Sequence, residues 1–330
     1  MDTAHGHGSA PVRRADPQGL AAAVAALDAG HLIGLPTETV YGLAGDALSS
    51  EVVAAIFAAK SRPADNPLIV HVAAAEELAR LTPNVTPLAR DLAATHWPGP
   101  LTLVVTAATS VPAITRAGLS SVAVRVPDHP VASAVLERCR SPLAAPSANR
   151  SGRPSPTTAE HVAQEFGGEV TLVLDGGPCV IGVESTVVDA RGARPVVLRE
   201  GTVTREQLGI TADGTGAETQ RSPGTRYRHY APRCRLSLVP GAEVGVVLAA
   251  VGAGEGQHGA IVRRGHEHEV PDTVRLVATF ADAADLARQL YAAFRAAEEG
   301  GVDRLLVETV DEEGVGRAVM DRLRRAAGAT

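Results

Sequence analysis

The sequence predicts an α/β protein in which a twisted mixed sheet is followed by a smaller α/β domain. Short runs rich in Val, Leu and Ile are interspersed with capped helical segments but do not alternate strictly with them, which favours a mixed sheet over a purely parallel one. Apolar residues make up 45% of the chain and aromatic residues only 3%, so Ala, Val and Leu must fill the core. At 330 residues the chain exceeds the usual size of one domain, and two domains are expected.

The part of the chain from 10 to 210 is predicted to form the larger domain. A first helix over 17–29 begins at Pro17 and is closed by Gly30, because proline suits a first helical turn and glycine the residue after the last. Ser49 or Ser50 caps a second helix. This second helix spans 50–60, and further helices are predicted at 75–81, 87–96, 130–139 and 158–166. Strands rich in β-branched residues are predicted at 31–36, 68–73, 101–107, 122–127, 170–175, 185–190 and 195–200.

The segment 211–235 interrupts this pattern. It begins with turn-forming residues and then carries the motif SPGTRYRHYAP at 222–232, whose tyrosines, histidine and arginines exceed what a tether needs. We therefore predict a lid, and a solvated linker stays the alternative. A small α/β domain is predicted over 236–330. Its strands are placed at 235–240, 245–251, 259–264 and 304–310, and its helices at 282–299 and 316–327.

Charge and cysteine usage limit the function classes. The net charge of −6 argues against a dedicated RNA-binding module, which needs a broad positive surface, although a weak local RNA contact stays open. The three cysteines, Cys139, Cys179 and Cys234, are far apart and form no CxxC pair, which indicates a reducing compartment. No apolar run suits a signal peptide or a membrane span. The expected location is the cytoplasm, without membrane contact.

Several segments of the first domain concentrate groups that chemistry could use. Arg125 lies within a predicted strand, where a charge is costly unless it is paired. Lys60, the only lysine, and Arg62 end a helix and could simply complement its dipole, and His71 could be an ordinary core histidine. Together these cations lie among many hydroxyls and few acids, which favours a site for a polyanion such as ATP together with a carboxylate. The segments are PTETVYGLA (36–44), KSRPADNPLIVH (60–71), SSVAVRVPDHP (120–130), APSANRSGRPSPTT (145–158), ESTVVD (184–189) and VVLREG (196–201).

These segments resemble, in order and spacing, the signature segments of the YrdC-like domain. SPGTRYRHYAP is similar to the linker motif of the longer, two-domain threonylcarbamoyl-AMP synthases. The resemblance covers 15–206 and 222–232, and the last domain only by position and length. It implies a twisted mixed-sheet YrdC-like domain followed by a Rossmann-like α/β domain.

The resemblance also implies a reaction. L-threonine, bicarbonate and ATP would give threonylcarbamoyl-AMP and pyrophosphate, and downstream transfer proteins would use the product to modify tRNA next to the anticodon. Mg²⁺ is expected with ATP, although no cluster of protein metal ligands is visible. By matching positions, the threonine-binding residues would be Thr37, His71, Arg125, Ala145 and Ser185. The ATP-binding residues would be Lys60, Arg62, Asn66, Ser121, Ser147, Ser155, Arg199 and Tyr230, and the catalytic residues Lys60, Arg62 and Arg125.

The sequence leaves two alternative functions. A carbamoyl-adenylate enzyme of the hydrogenase-maturation type carries a similar domain, but it needs zinc-finger and acylphosphatase-like regions that this sequence lacks. A double-stranded RNA-binding or ribosome-assembly factor is the alternative from another class, and the acidic composition weighs against it.

Overall fold

The computed structural model describes residues 9–210 and 229–328. Its larger sheet has ten strands in the order β1-β8-β2-β3-β7-β4-β6-β5-β9-β10, with both parallel and antiparallel neighbours. The predicted mixed sheet is therefore confirmed. The strands are β1 (Val12–Arg14), β2 (Ile33–Leu35), β3 (Gly42–Asp46), β4 (Ile69–His71), β5 (Leu101–Thr106), β6 (Ser121–Arg125), β7 (Leu143–Ala144), β8 (Leu172–Asp175), β9 (Thr186–Asp189) and β10 (Val196–Arg199).

Helices cover both faces of this sheet. On one face α1 and α5 pack over small and branched side chains of β2 and β8, and on the other face α2, α4 and α6 bury a larger core. Local sequence signals fix several helix starts: the Asp16 side chain accepts a hydrogen bond from the Gly19 amide at 2.8 Å, and Ser49 caps α2. The helices are α1 (Pro17–Asp28), α2 (Ser50–Lys60), α3 (Leu78–Leu81), α4 (Pro87–His96), α5 (Pro130–Leu136) and α6 (Ala159–Phe166).

The second sheet is entirely parallel, with strand order β11-β14-β12-β13. Helix α7 covers one face and α8 with α9 cover the other, which gives the predicted Rossmann-like layers. The domain boundaries at 210 and 236 stay a prediction. The elements are β11 (Arg235–Val239), α7 (Val244–Gly252), β12 (His258–Arg263), β13 (Val274–Phe280), α8 (Ala283–Glu299), β14 (Arg304–Glu308) and α9 (Val315–Ala327).

One predicted strand is wrong. Residues 245–251 were predicted as a strand because they form a short apolar run, yet they belong to α7. In α7 the buried residues Val244 and Leu248 are four apart, while Val246 is 77% exposed, which is the pattern of a helix with one packed face. A short apolar run has too few polar positions to show its period, so pattern alone did not separate the two structures.

Four strands were not predicted. β1 and β7 have only three and two residues, which is too short for a recognisable pattern. β3 contains two glycines, which are poor strand formers, and it is held between β2 and β7. β13 lies at the edge of the second sheet and is fully buried only at its two ends.

Helix α8 links the two sheets. Arg295 donates a hydrogen bond from Nη2 to the Pro154 carbonyl at 2.6 Å. Arg153 forms a bidentate ion pair with Glu298, with N–O distances of 2.7 and 2.6 Å. Residues 153 and 154 belong to the Ser-rich loop of the first sheet, so α8 lies directly behind that loop. No helix among the described residues is long and apolar enough to cross a membrane.

Candidate active site

One cavity lies where several strands of the large sheet end, and ten of the thirteen predicted site residues line it. These ten come from seven separate segments of the chain, which only the folded structure brings together. They are Thr37, Lys60, Arg62, His71, Arg125, Ala145, Ser147, Ser185, Arg199 and Tyr230.

Arg125 and His71 are neighbours at one end of the cavity because they are register partners on the parallel strands β6 and β4. Arg125 is 4% exposed. Its Nε donates to the Gly99 carbonyl at 3.1 Å and its Nη1 to Thr39 Oγ1 at 2.9 Å. Its Nη2 lies 2.5 Å from Oε1 of Glu38, which is also 4% exposed. The expectation of few acids near the cations is wrong here, since a charge buried in a strand requires a partner and Glu38 supplies it.

His71 is uncharged at neutral pH. Burial lowers its pKa to about 3, and the positive charge of Arg125 adds to the effect. Its Nδ1 is buried and accepts or donates no hydrogen bond among the described residues. A histidine with so low a pKa is a poor base, but its free ring nitrogen suits a hydrogen bond to a ligand.

A hydroxyl turn forms the wall beside Arg125. Thr37 Oγ1 donates to the Val40 carbonyl at 2.6 Å and accepts from the Thr39 and Val40 amides at 3.3 Å. This local bonding replaces a backbone turn, which explains why a Thr-rich segment follows β2. The turn presents Thr37 and Thr39 to the cavity.

Lys60 is fully enclosed at the end of α2. Its Nζ donates to the carbonyls of Ser147 and Asn149, and the Ser151 amide donates to the Lys60 carbonyl at 2.8 Å. Burial, with Arg62 nearby, lowers its pKa well below the usual value. Lys60 therefore holds the Ser-rich loop against α2, which is a role beyond complementing the helix dipole.

Two arginines line the other end. Arg62 donates from Nε and Nη2 to the carbonyls of Asn66 and Pro67 at 3.0 and 2.8 Å. Arg199 donates from Nη2 to the Ser185 carbonyl and hydroxyl at 2.8 and 3.1 Å. Burial lowers the pKa of Arg62 to about 10, so it remains charged at neutral pH. These bonds fix the positions of the two guanidinium groups.

Glu184 is a cavity residue that the sequence did not single out. Its carboxylate is 6% exposed and accepts from Ser155 Oγ at 2.6 Å and from Arg322 Nε at 2.8 Å. Burial alone would raise its pKa, but Arg322 and Arg199 together with the Ser155 bond outweigh burial and hold the pKa below the usual value. Glu38 and Glu184 share one signal that could have revealed them, an acid in an otherwise apolar and hydroxyl-rich segment that is predicted to be buried.

Three predicted site residues lie outside the cavity wall. Ser155 faces Glu184, Asn66 contributes its carbonyl to Arg62, and Ser121 begins β6 four residues before Arg125. Their proposed contacts with ATP stay a prediction. Of the lid motif, residues 222–228 with Arg226 and Arg228 lie outside the described residues, whereas His229 and Tyr230 line the cavity.

Two family models match the chain. One, described as telomere recombination and covering Sua5, YciO and YrdC, matches residues 25–201, and another, described as the threonylcarbamoyl-AMP synthase C-terminal domain, matches residues 197–328. The chain belongs to the threonylcarbamoyl-AMP synthase family. It has the long two-domain form, and the predicted family and nucleotidyltransferase class of enzyme are confirmed.

Members of the threonylcarbamoyl-AMP synthase family from distant organisms align over nearly the whole chain. The Pyrococcus abyssi threonylcarbamoyl-AMP synthase is 42% identical, with 91% of each chain covered, and the Bacillus subtilis enzyme is 40% identical, with 95% of this chain and 94% of the relative covered. The structure is similar to the crystal structure of P. abyssi Sua5 complexed with L-threonine, with a TM-score of 0.87, 38% identity and 97% of each chain covered.

Proposed function

We propose that the chain condenses L-threonine, bicarbonate and ATP into threonylcarbamoyl-AMP and pyrophosphate for the modification of tRNA next to the anticodon. The observation that carries this proposal is the convergence of four basic side chains with several hydroxyls on one cavity of the described chain. Basic groups and hydroxyls are the ligands that phosphates and carboxylates prefer. The names of the relatives and the threonine complex of P. abyssi Sua5 support the same function.

Threonine would bind at the Arg125 end. A guanidinium has five N–H donors, and the contacts with Gly99, Thr39 and Glu38 engage three of them, so two remain for the threonine carboxylate. Glu38 offsets the Arg125 charge, which suits a zwitterionic amino acid better than an unpaired cation would. The unpartnered His71 Nδ1 and the Ser185 hydroxyl would then orient the amine and the side chain.

ATP would bind at the end that holds Lys60, Arg62 and Arg199. The carbamate formed from threonine and bicarbonate would attack the α-phosphorus, and pyrophosphate would leave. The protein contributes orientation and charge neutralisation, which are the main demands of nucleotidyl transfer. Arg62 and Arg199 are already fixed by backbone carbonyls, so little reorganisation is needed when the phosphates arrive.

His229 and Tyr230 would act as the inner part of the lid. The cavity volume is about 60 Å³, far below the roughly 300–1,000 Å³ of ligand pockets, and both side chains form part of its wall. The wall of the cavity must therefore open, at these side chains or beside them, to admit ATP. On return they would exclude water from a carbamate and an acyl adenylate that hydrolyse easily.

Mg²⁺ would enter already bound to the triphosphate. Within 9–210 and 229–328, no group of three or more His, Cys, Asp or Glu side chains could hold a metal ion. Among the described residues of the cavity wall Glu184 is the one carboxylate, and it already accepts hydrogen bonds from Ser155 and Arg322. The metal would offset phosphate charge, while the basic side chains bind and orient the nucleotide. The product would pass to tRNA threonylcarbamoyl-transfer proteins in the cytoplasm.

The decisive experiment is a pyrophosphate-release assay with ATP, bicarbonate and individual amino acids. Release should require threonine and bicarbonate together. Equal release with serine, or release without bicarbonate, would contradict the proposal. A salt-dependent gel shift with duplex RNA tests the RNA-binding alternative, since binding to phosphates weakens steeply as salt rises.

A further inference from the structure

Two side chains of the second sheet domain complete the bonding of Glu184. Tyr291 on α8 donates its hydroxyl to Glu184 Oε2 at 3.0 Å, and Arg322 on α9 donates from Nε to the same oxygen at 2.8 Å. Both side chains are fully buried, and from the first sheet Ser155 bonds to Oε1. A carboxylate in the cavity wall is therefore satisfied only when α8 and α9 are docked.

The same two side chains hold the ring of Tyr230. The ring stacks on Tyr291 with centroids 5.6 Å apart and an interplanar angle of 26°, and the Arg322 guanidinium lies 5.2 Å from its centroid. Tyr230 has φ +66°, a conformation that is unfavourable for a bulky residue and persists only where surrounding contacts enforce it. The next amide, that of Ala231, is anchored on the Gly152 carbonyl at 2.8 Å. Tyr291 and Arg322 are thus part of what keeps Tyr230 in the wall.

Helix α8 also reaches the Arg125 end through the backbone. At Gly182, which has φ +85°, an added Cβ would lie 2.4 Å from the Ala287 carbonyl oxygen, so the loop is seated directly on α8. The amides of Ile181 and Gly182 donate to the carbonyls of Glu38 and Thr39 at 2.9 and 3.1 Å. The turn that carries both side-chain partners of Arg125 is therefore backed by a loop that α8 supports.

We propose that Arg322 and Tyr291 are positioning residues for the active site, which is complete only when the second sheet domain is docked. Arg322 balances the Glu184 charge and fixes the Tyr230 ring. Tyr291 donates a hydrogen bond to Glu184 and stacks against the Tyr230 ring. The expected change in kinetics rests on the proposed function, whereas the expected change in structure does not. This positioning role gives the second domain a definite task, which is to hold two elements of the cavity wall.

The kinetic test uses the full-length chain with Arg322→Gln, and Arg324→Gln as the matched control. Arg324 is on the same helix but forms an exposed pair with Glu312. Arg322→Gln removes the cation that is bonded directly to the buried Glu184 carboxylate, so we expect KM for ATP to rise about tenfold or more, with pyrophosphate release reduced. Arg324→Gln should match the wild type. Equal kinetics for the two variants would overturn the proposal, even if Arg322→Gln melts at a lower temperature.

A double-variant cycle separates positioning from direct contact with the nucleotide. If Arg322 acts through Glu184, adding Arg322→Gln to Glu184→Gln should change KM much less than it does in the wild-type background. Arg322→Lys keeps the charge and should recover part of the loss. An effect of Arg322→Gln that persists undiminished in the Glu184→Gln background would show that Arg322 contacts ATP itself, and the positioning role would be wrong.

Hydrogen–deuterium exchange without substrates supplies a readout that does not depend on the reaction. Arg322→Gln and Tyr291→Leu should speed exchange of the Ala231 amide and of the amides at 181–182, whereas Arg324→Gln should not. Unchanged exchange at these amides in both variants would refute the inference. If the wild type releases no pyrophosphate with threonine, the proposed function fails, while the exchange comparison still decides the positioning role.

Discussion

The two ends of the cavity are built differently. At the Arg125 end, the contacts of the guanidinium with Gly99, Thr39 and Glu38 all lie within the first sheet domain. At the Glu184 end, the carboxylate depends on Tyr291 and Arg322 of the second sheet domain.

This difference separates local folding from domain docking. The Arg125 end acquires its direct partners when the large sheet forms, because His71 and Arg125 are register partners and the hydroxyl turn follows β2. The Glu184 end also needs α8 and α9 in place. We therefore expect threonine binding to depend mainly on the first domain and nucleotide binding on both.

The largest effect should come from Arg125→Ala. The substitution removes the expected partner of the threonine carboxylate and leaves Glu38 buried without its cation, at a cost of about 2–5 kcal/mol. Threonine affinity should fall by a factor of roughly 30 or more, with ATP affinity much less affected. Calorimetric titration of each ligand measures both, and Arg80→Ala is the control because Arg80 forms only an exposed pair with Glu77. A threonine titration like that of the wild type would remove Arg125 from the site.

Lys60→Met should destabilise the Ser-rich loop between the two ends. It leaves the carbonyls of Ser147 and Asn149 unpaired in the interior, at about 1–3 kcal/mol for each group. A loss confined to the helix dipole would be about 0.3–1 kcal/mol, and Glu51→Gln in the first turn of α2 measures that effect alone. Urea unfolding of both variants decides between the roles. If Lys60→Met and Glu51→Gln lower the free energy of unfolding by similar small amounts, Lys60 would act through the helix dipole alone.

Acidification should destabilise both ends through their histidines. Burial lowers the pKa of His71 to about 3 and that of His229 to about 4, so the folded state binds fewer protons than the unfolded state below the usual value of about 6.5. The stabilisation is complete above that pH and is lost as pH falls toward the folded values. For His71 the loss between pH 6.5 and 5 is about 2 kcal/mol.

Unfolding free energies measured from pH 7 to 5 test this dependence. His71→Gln should reduce the slope of the unfolding free energy against pH by the contribution of one histidine. His229→Gln should do the same at the other end. A slope unchanged in both variants would mean that these histidines are accessible to protons in the folded protein.

The smallest effect should come from a surface pair that joins the same two domains. Glu206 and Arg317 form an ion pair at 2.5 Å, and Glu206 is 57% exposed. Water and salt screen such a pair, so Glu206→Gln should leave ATP binding and the melting temperature unchanged. The melting temperatures of Glu206→Gln and Arg322→Gln, measured side by side, test this expectation. A loss as large as that of Arg322→Gln would show that any contact across the boundary matters, rather than the buried one.

Local signals predicted most of the helices and the longer strands. Pro17 and Gly30 marked the two ends of α1, a serine cap marked the start of α2, and β-branched runs marked β5, β6 and β12. The strand predicted at 245–251 failed because an apolar run of that length has no readable period. β3 and β7 escaped prediction because their neighbours in the sheet, rather than their own residues, make them strands.

The sequence by itself determined the fold class, the family and the candidate cations, because capping residues, strand patterns and motif spacing can be read directly from the order of residues. Only the tertiary structure decided which charges face one another. Glu38 and Arg125 are 87 positions apart, and Glu184 and Arg322 are 138 apart, so no local pattern could pair them. A buried charge is tolerated only beside its partner, and the sheet topology and the docking of α8 and α9 determine where that partner lies.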